Sequence, residues 1–240
     1  MPYFEDAGRS IHYETHGNAD GPAVLLIAPG GMKSAVGFWS STPWNPMETL
    51  ADKFHVIAMD QRNAGESTAP VSGSDGWQTY TQDQLDLMDH LNIGKFHVAG
   101  MCIGGPYSLG LIQAAPERVL SATLFQTIGR DNNQAEFYAM FDDWAAPLMS
   151  SSSTEESDWA RFRENMYGGD LAFFNVDVDF VRSVSTPLLV LEGNDVYHPQ
   201  SSSILLKDNA PNVTYIEEWK GGEARDAAIV ACTSFLELHS

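Results

Sequence analysis

Residues 96–105 read Phe96-His97-Val98-Ala99-Gly100-Met101-Cys102-Ile103-Gly104-Gly105, an apolar run ending in a cysteine with a glycine two positions before it and two after. A strand, a sharp turn and a helix with this spacing lift one side chain clear of a sheet edge and set it at a helix N-terminus. Gly100 and Gly104 leave room for a strained backbone, and Gly105 lets the helix pack close to the strand. At such a position the helix dipole and free N–H groups favour the thiolate, the reactive form of cysteine. The same residues also read as a small buried cysteine in a glycine-rich turn, so the remainder of the chain has to decide.

Outward from this stretch, buried-strand runs alternate with helical ones. Residues 23–28, 55–59, 96–99, 122–125 and 188–191 are almost continuously apolar, residues 213–216 more weakly so, and 11–15 alternates in period two as a hairpin strand does. Helical stretches fall at 81–91, 103–114, 201–209 and 223–238. The pattern predicts an α/β fold, a mainly parallel sheet with helices on both faces. Residues 129–185 break the alternation: they hold no strand run but carry Phe137, Tyr138, Phe141, Trp144, Trp159, Phe162, Tyr167, Phe173 and Phe174. They are expected to form a small helical lid inserted into a core of 1–128 and 186–240; a helical layer packed on the core fits the same residues.

The 240 residues, 43% hydrophobic, suit one domain with a sizeable core. Lys and Arg number 13 against 32 Asp and Glu, a formal charge of -19, which argues against nucleic acid and anionic membranes as partners. A homo-oligomer is left open. The first residues show no basic segment followed by an apolar one, so neither a signal peptide nor a membrane span is expected. Two cysteines, Cys102 and Cys232, give no disulfide framework and no zinc spacing, which fits a reducing cytoplasm. No dinucleotide fingerprint, phosphate loop or metal-ligand cluster is present, so no cofactor is expected.

Four signals in order resemble the α/β-hydrolase superfamily over nearly the whole chain. Pro29-Gly30-Gly31-Met32 follows the first buried strand, where the family places an oxyanion-hole residue. Asp60-Gln61-Arg62-Asn63-Ala64-Gly65-Glu66-Ser67 resembles the family's turn after the next strand, with Asn63, a residue tolerant of positive φ, in place of glycine. The glycine-flanked Cys102 is similar to the nucleophile elbow. Leu191-Glu192-Gly193-Asn194-Asp195 sets an acid where the family keeps its triad carboxylate, although a helix N-cap reads the same way. A cysteine nucleophile resembles the dienelactone hydrolases, and the rest of the chain the lid-bearing esterases and C–C hydrolases. The resemblance implies that Cys102 attacks a carbonyl and that the N–H groups of Ile103 and of Gly31 or Met32 hold the oxyanion.

At one place the pattern fails. The family's histidine lies after the last strand, but Glu217-Glu218-Trp219-Lys220-Gly221-Gly222-Glu223 contains none. Of the seven histidines, His12 and His16 are assigned to the N-terminal hairpin, away from the sheet's C-terminal edge. His55 and His97 fall at strand starts, His90 at a helix end and His239 next to the C-terminus. Only His198, in Asp195-Val196-Tyr197-His198-Pro199, falls on the right edge, and sharing a short loop with Asp195 makes its approach to the sulfur geometrically awkward. The expectation is therefore a degenerate triad in which Cys102 and the oxyanion hole remain and His198 is structural or a rearranged base. Phe38, Trp39, Met101 and Phe125 are expected to line an apolar pocket, though such residues are more often core. The leading functional reading is a cofactor-free hydrolase of a small apolar ester, thioester or lactone. The alternatives are a ligand- or partner-binding protein of the same fold with little turnover, and an acyltransferase.

Overall fold

The structure, a computed structural model, describes residues 2–240. Eight strands form one sheet: β1 (Tyr3–Asp6), β2 (Arg9–Gly17), β3 (Ala23–Ile27), β4 (His55–Met59), β5 (Phe96–Met101), β6 (Val119–Phe125), β7 (Leu188–Leu191) and β8 (Val213–Ile216). Their order is β1-β2-β4-β3-β5-β6-β7-β8. β1 and β2 pair antiparallel, as do β2 and β4, and the other pairs are parallel.

Period two divides the buried strands between two cores. Leu25, Ile27, Ile57, Met59 and Val98 point to one face, and Val24, Leu26, Val56, Ala58 and Ala99 to the other. The first face is covered by α2 (Trp77–His90), α3 (Gly104–Ala114) and α7 (Gln200–Asn209), which bury Leu87, Leu109 and Leu206 there. The second is covered by α1 (Pro46–Leu50) and α8 (Gly222–Leu238), through Leu50, Cys232, Phe235 and Leu236. Cys232 is thus a core residue.

Between β6 and β7 lie α4 (Gln134–Ser151), α5 (Glu156–Tyr167) and α6 (Val178–Ser183), with no strand among the described residues. Phe137, Phe141, Trp144, Trp159, Phe162, Tyr167, Phe173 and Phe174 are all buried and join the first core. Phe137 meets Phe174 with ring centroids 4.7 Å apart. The aromatic richness of this segment therefore forms a packed layer continuous with the domain.

The turn after β4 is built around a buried carboxylate. Asp60 Oδ1 accepts the N–H of Val36 at 2.7 Å and Oδ2 that of Glu66 at 2.8 Å, while Asn63 takes φ 56°. Arg62, also buried, donates to Asp83 through Nε at 2.6 Å and Nη2 at 2.8 Å. No described helix is long and apolar enough to cross a membrane.

Candidate active site

Cys102 closes β5 with φ 61°, a left-handed conformation that costs a residue with a Cβ on the order of 1–3 kcal/mol. The strain is held by β6 and the chain beyond it. Cys102 N–H donates to Phe125 O at 3.0 Å, and Cys102 O accepts from Ile128 N at 3.2 Å. Gly100 is required on the other side of the turn, since a Cβ there would run into the carbonyl of Gly104. The sulfur is thereby half-buried at the start of α3, where the N–H groups of Gly30 and Ile103 point at it.

Four residues beyond β7, a loop that begins at Asp195 presents the partners of the thiol. Asp195 Oδ1 accepts the backbone N–H groups of Tyr197 and His198, each at 3.0 Å, closing a turn of the kind short carboxylates form with the chain that follows them. Asp195 N–H donates in turn to His198 O at 3.2 Å. This turn brings His198 Nδ1 to 2.8 Å from both carboxylate oxygens. Nε2 is buried, has no nitrogen or oxygen partner, and faces the Cys102 sulfur. Gly193 makes the fold-back possible, because a Cβ there would lie 2.7 Å from His198 Cβ. Asn133 Nδ2 pins the loop from outside, donating to Val196 O at 2.7 Å and Gly129 O at 3.0 Å.

The loop geometry corrects the expectation that a histidine so near Asp195 stays away from the sulfur. Three residues suffice because the carboxylate captures the backbone of its own turn. His12 also needs correcting. Antiparallel pairing sets Tyr13 opposite Met59, so His12 stands level with Asp60 at the sheet's C-terminal edge. It is buried there with Nδ1 3.0 Å from Asp60 Oδ2, with β4 and β3 between its strand and that of Cys102.

Electrostatics couple the three site residues. Burial alone would push the Cys102 thiol up, but His198 and the two N–H groups hold it below its ordinary value. Burial would likewise lower His198, yet the facing sulfur and Asp195 raise it to about 9. For Asp195, burial is outweighed by His198 and the backbone donors, which keep it below the usual carboxylate value. The charged forms of Cys102 and His198 thus stabilise each other, and the carboxylate steadies the protonated ring. Cys232, with only burial acting on it, is pushed up to about 12.

Cys102 and His198 open into a cavity of about 260 Å³ lined by Pro29, Gly30, Gly31, Gln126, Ile128, Phe137, Met140 and Tyr197. A neighbouring cavity of about 190 Å³ shares Gly30, Met140 and Tyr197 with it and adds Lys33 and Asp143. The expected pocket wall is therefore wrong in its particulars. Trp39, Met101 and Phe125 belong to the second core, Trp39 meeting Phe125 edge-on at 6.5 Å, and Phe38 is an exposed residue behind Gly30. They follow the sheet edge in sequence, but their side chains turn to the α1–α8 side. The wall comes instead from α4 and the loops after β3, β6 and β7; of these, the loop after β6, with Gln126 and Ile128, carried no sequence signal.

Of the residues read as oxyanion donors, Ile103 directs its N–H at the sulfur and Gly31 lines the cavity. Met32 is buried, its sulfur accepting the Tyr167 hydroxyl at 3.4 Å. Gly30, not foreseen as a donor, points its N–H at the sulfur. Trp219 stands in the loop after β8, buried, with its indole donating to Glu192 O at 2.8 Å. A larger groove of about 720 Å³ between α2, α3 and α5 has no titratable residue in its wall. Among the described residues, no group of three or more His, Cys, Asp or Glu is placed to hold a metal ion.

A family model described as the alpha/beta hydrolase fold matches residues 23–217. Among curated relatives, a "Putative carbamate hydrolase RutD" of Stutzerimonas stutzeri is 23% identical, over 89% of this chain and 90% of its own. One of the same name from Azorhizobium caulinodans is 35% identical over 52% of this chain. That alignment spans only 43% of the relative's length, and one with the Agrobacterium fabrum protein 40%, so these matches cover less than half of either relative. Among solved structures, the enol-lactonase of Burkholderia xenovorans LB400 superposes with a TM-score of 0.72 at 19% identity, covering 98% of this chain and all of that one. The meta-cleavage product hydrolase of Pseudomonas fluorescens IP01 gives 0.75 at 20% identity, covering 100% and 98%. At these identities the likeness is one of fold.

Proposed function

The chain belongs to the alpha/beta hydrolase family, and from that premise we propose that it hydrolyses a small, neutral, apolar ester, thioester or lactone through an acyl-thioester on Cys102. The observation that carries the proposal is the line Cys102–His198–Asp195 opening into one apolar cavity. The Cys102 thiolate attacks the carbonyl carbon, and the N–H groups of Ile103 and of the Gly30–Met32 loop receive the developing oxyanion. When the tetrahedral intermediate collapses, the bond to the leaving group breaks and the His198 imidazolium gives up its Nε2 proton to that group. The neutral imidazole then takes a proton from water, which attacks the thioester. The acid leaves and the thiolate–imidazolium pair is restored. Asp195 holds the ring in the tautomer that both proton transfers need.

Cavity chemistry supports the substrate class. No Lys or Arg side chain lines the chamber beside Cys102, and the chain carries a charge of -19, both unfavourable to an anionic acyl group. The adjoining cavity past Met140 and Tyr197 is the space we assign to the leaving group. The helical layer of 129–185 serves as the lid through Phe137 and Met140, and two free cysteines support a reducing cytoplasm as the setting.

A panel of p-nitrophenyl esters, followed by product release and intact-protein mass, tests the proposal. One acyl group per chain on Cys102, released by water and absent in Cys102→Ala, is the expected result. Neither adduct nor release would reject it in favour of a binding protein. An added alcohol that captures most of the acyl group would reassign the chain as an acyltransferase.

A further inference from the structure

The bonds that Asp195 makes shape its turn without placing it. They run to Tyr197, to His198 and from its own N–H to His198 O, so all of them close within residues 195–198. Residues 194–197 are exposed and belong to no helix or strand. The stem of the loop is fixed, since Gly193 N–H donates to Ser203 Oγ at 3.1 Å and the chain enters α7 just after His198. The tip needs a hold of its own if Nε2 is to stay within hydrogen-bond reach of the Cys102 sulfur.

Asn133 supplies that hold. It opens α4, yet its side chain makes no bond to the first turn of that helix. It is 2% exposed and lines neither cavity at the site. Its Oδ1 accepts the Asp131 N–H at 2.9 Å, and its Nδ2 donates to Gly129 O at 3.0 Å and to Val196 O at 2.7 Å. Gly129 directly follows Ile128, whose N–H donates to Cys102 O at 3.2 Å. One carboxamide thus fastens the turn that carries the base to the segment bonded to the nucleophile's own backbone. Two further contacts reach the tip: the Tyr197 ring meets Phe137 edge-on, and exposed Lys220 Nζ donates to Asn194 Oδ1 at 3.3 Å.

We infer that Asn133 is a positioning residue: its bond to Val196 O holds the Asp195–His198 turn at the distance from Cys102 at which the imidazole can pass protons to and from the reacting groups. It acts through His198 and touches none of the reacting atoms. The inference rests on the reading of His198 as the acid and base of a Cys102 hydrolase.

The test follows the pH dependence of Cys102 alkylation by iodoacetamide, which needs no turnover, together with kcat and KM for the p-nitrophenyl esters. Asn133→Ala removes the bond. Asn133→Ser also removes it, a hydroxyl being one bond too short to reach Val196 O, but keeps a residue suited to open a helix. In both, the alkylation midpoint should move upward, in the direction of His198→Ala. Turnover should fall about tenfold or more in kcat with KM little changed, because a misplaced base costs rate and not binding. In the His198→Ala background the same substitutions should leave the midpoint where it is. Ser201→Ala is the control: it removes the bond from Ser201 Oγ to Asp131 Oδ2, loosening the same segment while sparing Val196 O, and its midpoint should match the wild type. Continued protection of buried Cys232 shows that each variant is folded.

An unchanged midpoint in both Asn133 variants overturns the inference. So does a shift of equal size in Ser201→Ala or in the His198→Ala background. A protein that alkylates as expected but hydrolyses no ester sinks the hydrolase reading, while the midpoints still decide whether Asn133 places the ring.

Discussion

Asp195 and His198 are held face to face by their own loop, both carboxylate oxygens standing 2.8 Å from the imidazole Nδ1 while Nε2 is left for the sulfur of Cys102. Aspartate three residues before the histidine makes the turn with one oxygen and orients the ring with both. The pairing is local and set by a few residues, with Asn133 bracing the turn from outside through Val196 O.

Replacing His198 by Ala should lower ester turnover by ~10²-fold or more, the usual contribution of a general base, with stability nearly unchanged. Release of p-nitrophenol and urea unfolding measure the two effects. A near-neutral effect on turnover would show that the ring only packs against the thiol.

Labelling by iodoacetamide at pH 7 should fall on Cys102 and leave Cys232 untouched, since one thiol is held below its ordinary value and the other is pushed up to about 12. In His198→Ala the midpoint of the Cys102 pH–rate curve should move upward, because the imidazolium that favours the thiolate is gone. Labelling of Cys232 first, or a midpoint that stays put, would contradict the ion pair.

His97 makes the fold sensitive to acid. It is fully buried between Ser121 and Ser240, and burial lowers its pKa from 6.5 to about 4. The unfolded chain therefore binds this proton more readily than the native one. Stability should fall as pH drops below 6.5 and level off near 4, by about 3 kcal/mol from this residue. Denaturant midpoints between pH 7 and 4, compared with His97→Gln, isolate that contribution. Parallel curves for the two proteins would refute it.

Asp83 carries the buried charge cluster behind the β4 turn, bonded to both Arg62 and Arg9. Asp83→Ala should cost about 3–5 kcal/mol because it leaves Arg62 buried with only Asp75, 3.3 Å away, in compensation. A loss under about 1 kcal/mol by chemical denaturation would mean that water takes the carboxylate's place.

The framework was legible in the sequence because strands buried on both faces write themselves as unbroken apolar runs. Seven of the eight strands and the turn at Cys102 could be read from residue type and glycine spacing. β1 was missed, since a four-residue edge strand with one buried side chain has no pattern to show. His12 and the pocket wall were misplaced for a related reason. Which residues stand level across a sheet, and which face a loop side chain takes, depend on pairing and packing between distant segments. Asp195 was read from its place after a strand. The reach of His198 to the sulfur was not, because it depends on one carboxylate oxygen capturing two backbone N–H groups, which composition does not record.

The short span between Asp195 and His198 also bears on how such a site changes over generations. When acid and base lie on separate loops, losing either leaves half a mechanism, and both must be inherited intact across the strand and helices between them. Here both fall within residues 193–199, so a single crossover can gain or lose them together. The C-terminal unit of β8 and α8, whose loop holds Trp219 against Glu192, puts no residue into the cavity beside Cys102.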